Sequence, residues 1–62
     1  MTGAELREYR KVAGLSQEGL ARLAGVSVKT ISRLEHERHV PFGSTLKKLR
    51  DALAESLSGT GG

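Results

Sequence analysis

An all-α fold, a compact bundle of four short helices with room for a short extra turn at the C-terminus, follows from three features of the 62-residue chain. Apolar residues recur at three- and four-residue intervals in separate windows, the period of a helix with one buried face. The windows are punctuated by residues that start or stop helices: Thr2, Ser16 and Ser27 before them, Gly14 and Gly25 after them. No window alternates apolar and polar residues as a half-buried strand would.

The first helix is expected from about Gly3 to Ala13. Thr2 and Glu5 have the spacing of a capping box, in which each side chain satisfies a backbone N–H left free at the helix start. Leu6, Tyr9 and Ala13 form its inward stripe, and Gly14 stops it. Leu15 then turns toward the core. Ser16 caps a second helix, about Gln17 to Ala24. Gly25 ends that helix, and Ser27 caps a third, about Val28 to His36. The tight turn at Gly25-Val26-Ser27 makes these two a helix-turn-helix. Leu20, Ala24, Val26, Ile31 and Leu34 can share one small core, with Ala21 small where the two helices cross. Val28, Lys29, Ser32 and Arg33 are left facing outward. A basic, hydrogen-bonding helix face of this kind fits a DNA major groove.

A polar break follows, from Glu37 to Gly43. Pro41 disfavours helix at Val40, so the connection there is expected to be extended. Phe42, the only phenylalanine, is either a core plug or an exposed contact; a lone aromatic in so small a domain favours the core. The fourth helix, about Ser44 to Ser56, sets Leu46, Leu49, Leu53 and Leu57 on one stripe and turns Lys47, Lys48, Arg50 and Asp51 away from it. Residues 1–57 therefore form one domain, and 58–62 are expected to be a disordered, Gly-rich tail.

Composition narrows the function classes. The formal net charge is +3 and the pI about 9.8, which suits a polyanionic partner. Cysteine is absent, so no disulfide or Cys-based zinc site braces the fold. No apolar run approaches the roughly 20 residues that cross a bilayer, and no basic segment followed by an apolar one marks an export signal. The expected location is the bacterial cytoplasm, at the nucleoid, or a phage product acting there. An enzyme is not expected. The serines lie at caps and helix surfaces with no matching base and acid, and so short a chain has little material for an enclosed pocket. His36 and His39 are three apart, but the helix is expected to fray between them and no further ligand cluster exists. No metal and no cofactor are therefore expected.

The whole ordered chain resembles the lambda-repressor/Cro-like helix-turn-helix family, also called the XRE family. The resemblance is carried by Leu6 with Arg10; by Ala13-Gly14-Leu15-Ser16-Gln17-Glu18, Leu20-Ala21 and Ala24-Gly25-Val26-Ser27; by Thr30-Ile31-Ser32-Arg33-Leu34-Glu35; and by Pro41 followed by Leu46, Leu49 and Leu53. It covers about residues 4 to 54, flanking helices included. It implies an all-helical domain that binds duplex DNA in transcription control, repression more often than activation. It also implies a homodimer on a palindromic operator.

The resemblance further implies roles for matching residues. Val28, Lys29, Ser32 and Arg33 occupy positions that look into the major groove. Arg33 suits the two acceptors of guanine, Val28 a thymine methyl, Ser32 several bases, and Lys29 either a base or a phosphate. Gln17, Ser27, Thr30, Arg38 and His39 match positions that touch backbone phosphates. Arg10 and Glu35 resemble a structural ion pair between the first and third helices.

Four departures stand out. Glu37 stands where the family often has a glycine, so the third helix is expected to end differently. Gly19 replaces a frequent glutamate and deprives Ser16 of a capping-box partner. Phe42-Gly43 stands where the family often places a polar cap. Many relatives continue into a fifth helix that helps them dimerise; a dimer here is expected to use the outer side of the fourth helix and its end, including Leu57. The competing reading is a protein-interaction module on the same scaffold, antitoxin-like or an adaptor. Such a module would expose an apolar patch where Lys29, Arg33 and Arg38 stand.

Overall fold

The computed structural model describes residues 1–41 and 43–58. Its order is α1 (Gly3–Val12), α2 (Gln17–Ala24), α3 (Val28–Glu35) and α4 (Ser44–Ser58), with no strand among the described residues. α2 packs on both α3 and α4, and α1 closes the bundle against α3 and α4.

Local chemistry sets the helix ends. Thr2 Oγ1 accepts the Glu5 N–H at 3.1 Å, while Glu5 Oε1 accepts the Thr2 N–H at 2.8 Å, a complete capping box. Ser16 and Ser27 accept the N–H groups of Gly19 and Thr30. Gly25 ends α2 at φ 72°, a left-handed conformation that costs glycine little and other residues more. Its N–H and that of Val26 turn back onto carbonyls of α2, which sets up the tight entry into α3.

α3 ends by a different device, in keeping with the absence of glycine at position 37. The His36 N–H donates to the Arg33 carbonyl at 3.0 Å and the Glu37 N–H to the Leu34 carbonyl at 3.1 Å. These three-residue bonds tighten the last turn, and no residue other than glycine takes a positive φ among the described residues.

The core joins Leu6, Leu20, Ala21, Ala24, Ile31, Leu34, Val40, Leu46, Leu49, Ala52 and Leu53, with Met1, Ala13, Leu15 and Val26 packed at its edge. Several sequence expectations change here. Tyr9 is 44% exposed and not part of the inward stripe; it lines a shallow groove beside Met1, Glu5, Leu46 and Arg50 at the rim of the α1–α4 contact. Leu57 is 49% exposed and does not join Leu46, Leu49 and Leu53 of its stripe in the core. α4 continues through Ser58, so Ser58 belongs to the helix and not to the tail. There the Ser58 hydroxyl donates to the Ala54 carbonyl, and the Ser56 hydroxyl reaches the Ala13 carbonyl at the end of α1. The positions expected for Phe42 and for the rest of the tail lie outside the described residues.

Val40, read from sequence as a mere connector, is 2% exposed and belongs to the core. Its N–H donates to the Met1 carbonyl at 2.9 Å, and the Gly3 N–H donates to the Glu37 carbonyl at 2.9 Å. The first three residues thus clasp the segment after α3. The clasp is close: a Cβ on Gly3 would lie 2.4 Å from the Leu34 carbonyl oxygen, 2.5 Å from that of Glu37 and 2.7 Å from that of Glu35. Only a residue without a side chain lets the two backbones approach this far.

Candidate nucleic-acid interface

The side chains that face away from the core on α3 follow from its period. Ile31 and Leu34 are buried, which turns Val28, Lys29 and Arg33 outward as exposed residues and leaves Ser32 half-buried between them. Ser27, Lys29, Thr30, Ser32 and Arg33 line one shallow concavity together with His36 and Glu37. Val28 stands outside that lining, at the start of the helix. Ser27 and Thr30 are tied to each other: the Ser27 hydroxyl takes the Thr30 N–H at 3.1 Å and lies 2.8 Å from Thr30 Oγ1. Arg38 and His39 are exposed on the loop after α3, which the N-terminal clasp holds at Glu37 and Val40.

Gln17 lies apart from this group, in a second concavity lined by Arg7, Arg10, Gln17, Glu35 and His36. Here Arg10 and Glu35 meet. Arg10 Nε donates to Glu35 Oε2 at 2.6 Å and Nη2 to Oε1 at 3.3 Å, while Nη1 donates to the Leu15 carbonyl at 2.9 Å. The Gln17 side-chain amide also donates to Glu35 Oε1, at 3.1 Å. The two charged side chains are only 12% and 5% exposed, so the pair is shielded from solvent and strengthened by its hydrogen bonds. Burial alone would raise the Glu35 carboxyl; the hydrogen bonds from Arg10 and Gln17, with the charges of Arg10 and Arg7, outweigh it and hold the group below its ordinary value.

This arrangement holds the outward face of α3 from behind. Glu35 anchors the last turn of α3 to α1 through Arg10 and to the first residue of α2 through Gln17. The N–H groups of Gln17 and Glu18 have no acceptor among the described residues, as expected of an open helix start. Chemically, the surface presents ammonium, guanidinium, hydroxyl and amide donors on α3 and its flanks, a set suited to phosphate oxygens and base edges. Among the described residues no three His, Cys, Asp or Glu side chains gather as metal ligands, and no helix is long and apolar enough to cross a membrane.

Reading by sequence missed two members of this surface. His36 borders both concavities and Arg7 borders the second. A signal for His36 was present: it follows Ser32 by four residues and Arg33 by three, which keeps it on their side of the helix. Nothing in the sequence marked Arg7, whose place depends on how α1 crosses α3.

A family model described as a helix-turn-helix domain matches residues 2–58. The chain is 31% identical over 51 residues to YazB of Bacillus subtilis, described as an uncharacterized HTH-type transcriptional regulator; the match covers 82% of this chain and 74% of that protein. It is 41% identical over 56 residues to the HTH-type transcriptional regulator PuuR of Escherichia coli, across 90% of this chain and 30% of that one. It is 44% identical over 52 residues to the HTH-type transcriptional repressor RghR of Bacillus subtilis, across 82% of this chain and 38% of that one. The chain thus spans about three quarters of the first relative and well under half of the other two.

Proposed function

The chain belongs to the XRE-like family of DNA-binding helix-turn-helix domains, and from that premise we propose that it recognises a specific duplex sequence with α3 in the major groove, as the reading domain of a transcriptional repressor. One observation carries this reading: α3 presents Val28, Lys29, Ser32 and Arg33 on the side opposite its buried residues, with no large apolar patch among them. In the complex, Arg33 pairs with a guanine edge, Val28 packs on a thymine methyl, and Ser32 and Lys29 take neighbouring bases. Gln17, Ser27, Thr30, Arg38 and His39 hold backbone phosphates on either side. Gln17 can do so without leaving Glu35, because its amide nitrogen has a second N–H. The relative described as a repressor supports repression over activation.

A single small module covers only modest DNA surface and binds weakly and salt-dependently. The functional unit is therefore a homodimer on a palindrome with half-sites about one helical turn apart. The exposed Leu57 at the end of α4 is the apolar group that supports a contact there. Its site of action is the bacterial nucleoid, in the cytoplasm.

Selection of a random duplex library on the purified protein at near-physiological salt tests this. Recovery of an inverted repeat is the expected result. A single short motif would keep sequence-specific reading and remove the dimer. No enrichment by a folded protein would overturn the proposal and favour a partner-protein module.

A further inference from the structure

The outward side of α3 continues past Arg33 to His36. His36 Nδ1 lies 2.8 Å from the Ser32 carbonyl oxygen. A carbonyl oxygen only accepts, so Nδ1 carries the hydrogen of that bond, and in the neutral ring Nε2 is a bare acceptor. Protonation makes Nε2 a charged N–H donor and leaves the Ser32 bond intact. The ring borders the α3 concavity on one side and, on the other, the cavity of about 310 Å³ that holds Arg7, Arg10, Gln17 and Glu35.

In that cavity Arg10 is committed to Glu35 and to the Leu15 carbonyl. Arg7 is not. It is exposed, forms no ion pair among the described residues, and is near enough for its charge to act on Glu35. Gln17 gives one amide hydrogen to Glu35 and keeps the other. Beside the Arg10–Glu35 pair, the cavity therefore holds the Arg7 guanidinium, one Gln17 amide N–H and the His36 Nε2, none of which has a hydrogen-bond partner among the described residues.

We propose that Arg7, Gln17 and His36 form a seat for a phosphate of the DNA backbone, in which His36 takes part only when protonated. The inference rests on the DNA-binding reading above and adds to it two contacts and a proton. Six charged groups line the two concavities that the imidazole borders: Lys29, Arg33 and Glu37 from α3 and the turn after it, Glu35 from α3, and Arg7 and Arg10 from α1. An arriving phosphate is the anion that this mostly cationic ring of groups accommodates. It favours the charged imidazole, so binding takes up a proton and tightens as pH falls through the range in which histidine titrates.

The chain has two histidines, so the test is made in a His39→Gln background, which leaves His36 as the one histidine. Fluorescence anisotropy of a labelled mixed-sequence duplex about two helical turns long is followed from about pH 8 to about pH 5.5 at fixed salt. One added charge-assisted hydrogen bond at a surface corresponds to an affinity gain of about fivefold to tenfold at the acid end. Adding His36→Gln should abolish the gain. His36→Lys, permanently charged, should bind tightly with little dependence on pH. Arg7→Ala should lower the slope of log affinity against log salt by about one. Circular dichroism at each pH confirms the fold. An acid-end gain of the same size without His36, or no gain with it, overturns the seat while the DNA reading stands. A folded protein with His39 restored that binds neither this duplex nor any duplex of a random library at any pH overturns both.

Discussion

Gly3→Ala should destabilise this domain, although the same exchange in the first turn of an ordinary helix stabilises. The methyl group would lie 2.4 Å, 2.5 Å and 2.7 Å from the carbonyl oxygens of Leu34, Glu37 and Glu35. All three are backbone atoms, so none can swing away as a side chain would. Relaxing the closest contact to 3.4 Å, where ordinary van der Waals contact of a Cβ begins, needs α1 and the end of α3 to part by about 1 Å. That shift stretches the 2.9 Å bond from the Gly3 N–H to the Glu37 carbonyl beyond hydrogen-bonding range and strains the Val40–Met1 bond. Overpacking of this sort costs about 1–3 kcal/mol, and each lost backbone bond about 1 kcal/mol. Against this, alanine gains up to about 1 kcal/mol over glycine through helix propensity and a less disordered unfolded chain. The net loss is about 2 kcal/mol, which in a domain of this size lowers the melting temperature by about 15 °C. Thermal unfolding followed by circular dichroism measures it. A variant that melts at or above the parent temperature would show that the clasp does not hold the bundle together, and the reasoning would fail.

Three further outcomes can be measured alongside. Glu35→Ala leaves the Arg10 guanidinium shielded and without its partner and frees Gln17, and should cost about 3 kcal/mol in a urea titration; an unchanged midpoint would reduce the pair to decoration. Glu35 is held below its ordinary range by the bonds that outweigh its burial, and Glu5 by its bonds to the backbone and side chain of Thr2. The native state therefore binds fewer protons than the unfolded chain, and this stability is present above the unfolded carboxylate value of about pH 4.3 and lost as pH falls through the lower folded values; a denaturation midpoint unaltered between about pH 7 and pH 3 would contradict the sign. Arg33→Ala should weaken binding to the selected operator by about 1–3 kcal/mol and relax the preference at one base pair, whereas equal loss on selected and scrambled duplexes would remove Arg33 from base reading.

The helices were legible because their signals are local. The Thr2–Glu5 box, the Ser16 and Ser27 caps, Gly14 and Gly25 act within a few residues of themselves, and the burial of Leu6, Leu20, Ile31 and Leu49 follows from helical period. Period alone could not say how far each stripe is covered. Tyr9 falls on the right side of α1 but at its rim, and Leu57 falls on the right side of α4 but stays half exposed. Val40 and Gly3 were illegible for the opposite reason. Each owes its place to a segment more than thirty residues away, and neither residue type announces it. The candidate surface divides in the same manner. The outward residues of α3 could be read from period, whereas the meeting of Arg7, Gln17 and His36 in one cavity depends on how three helices cross.

The bonds of Glu35 to Arg10 and Gln17 carry a consequence for how the domain would meet its target. α3 and the start of α2 are pinned to one carboxylate, so the separation between the outward residues of α3 and Gln17, which the proposed function sets on bases and on a phosphate, is fixed before any DNA arrives. A rigid span of this kind works as a calliper. On a duplex whose groove is too wide or too narrow for it, the DNA must deform, at a cost that depends on the stiffness of its base steps. On the proposed function, base pairs that no side chain touches would then still contribute to operator preference through the groove width they impose.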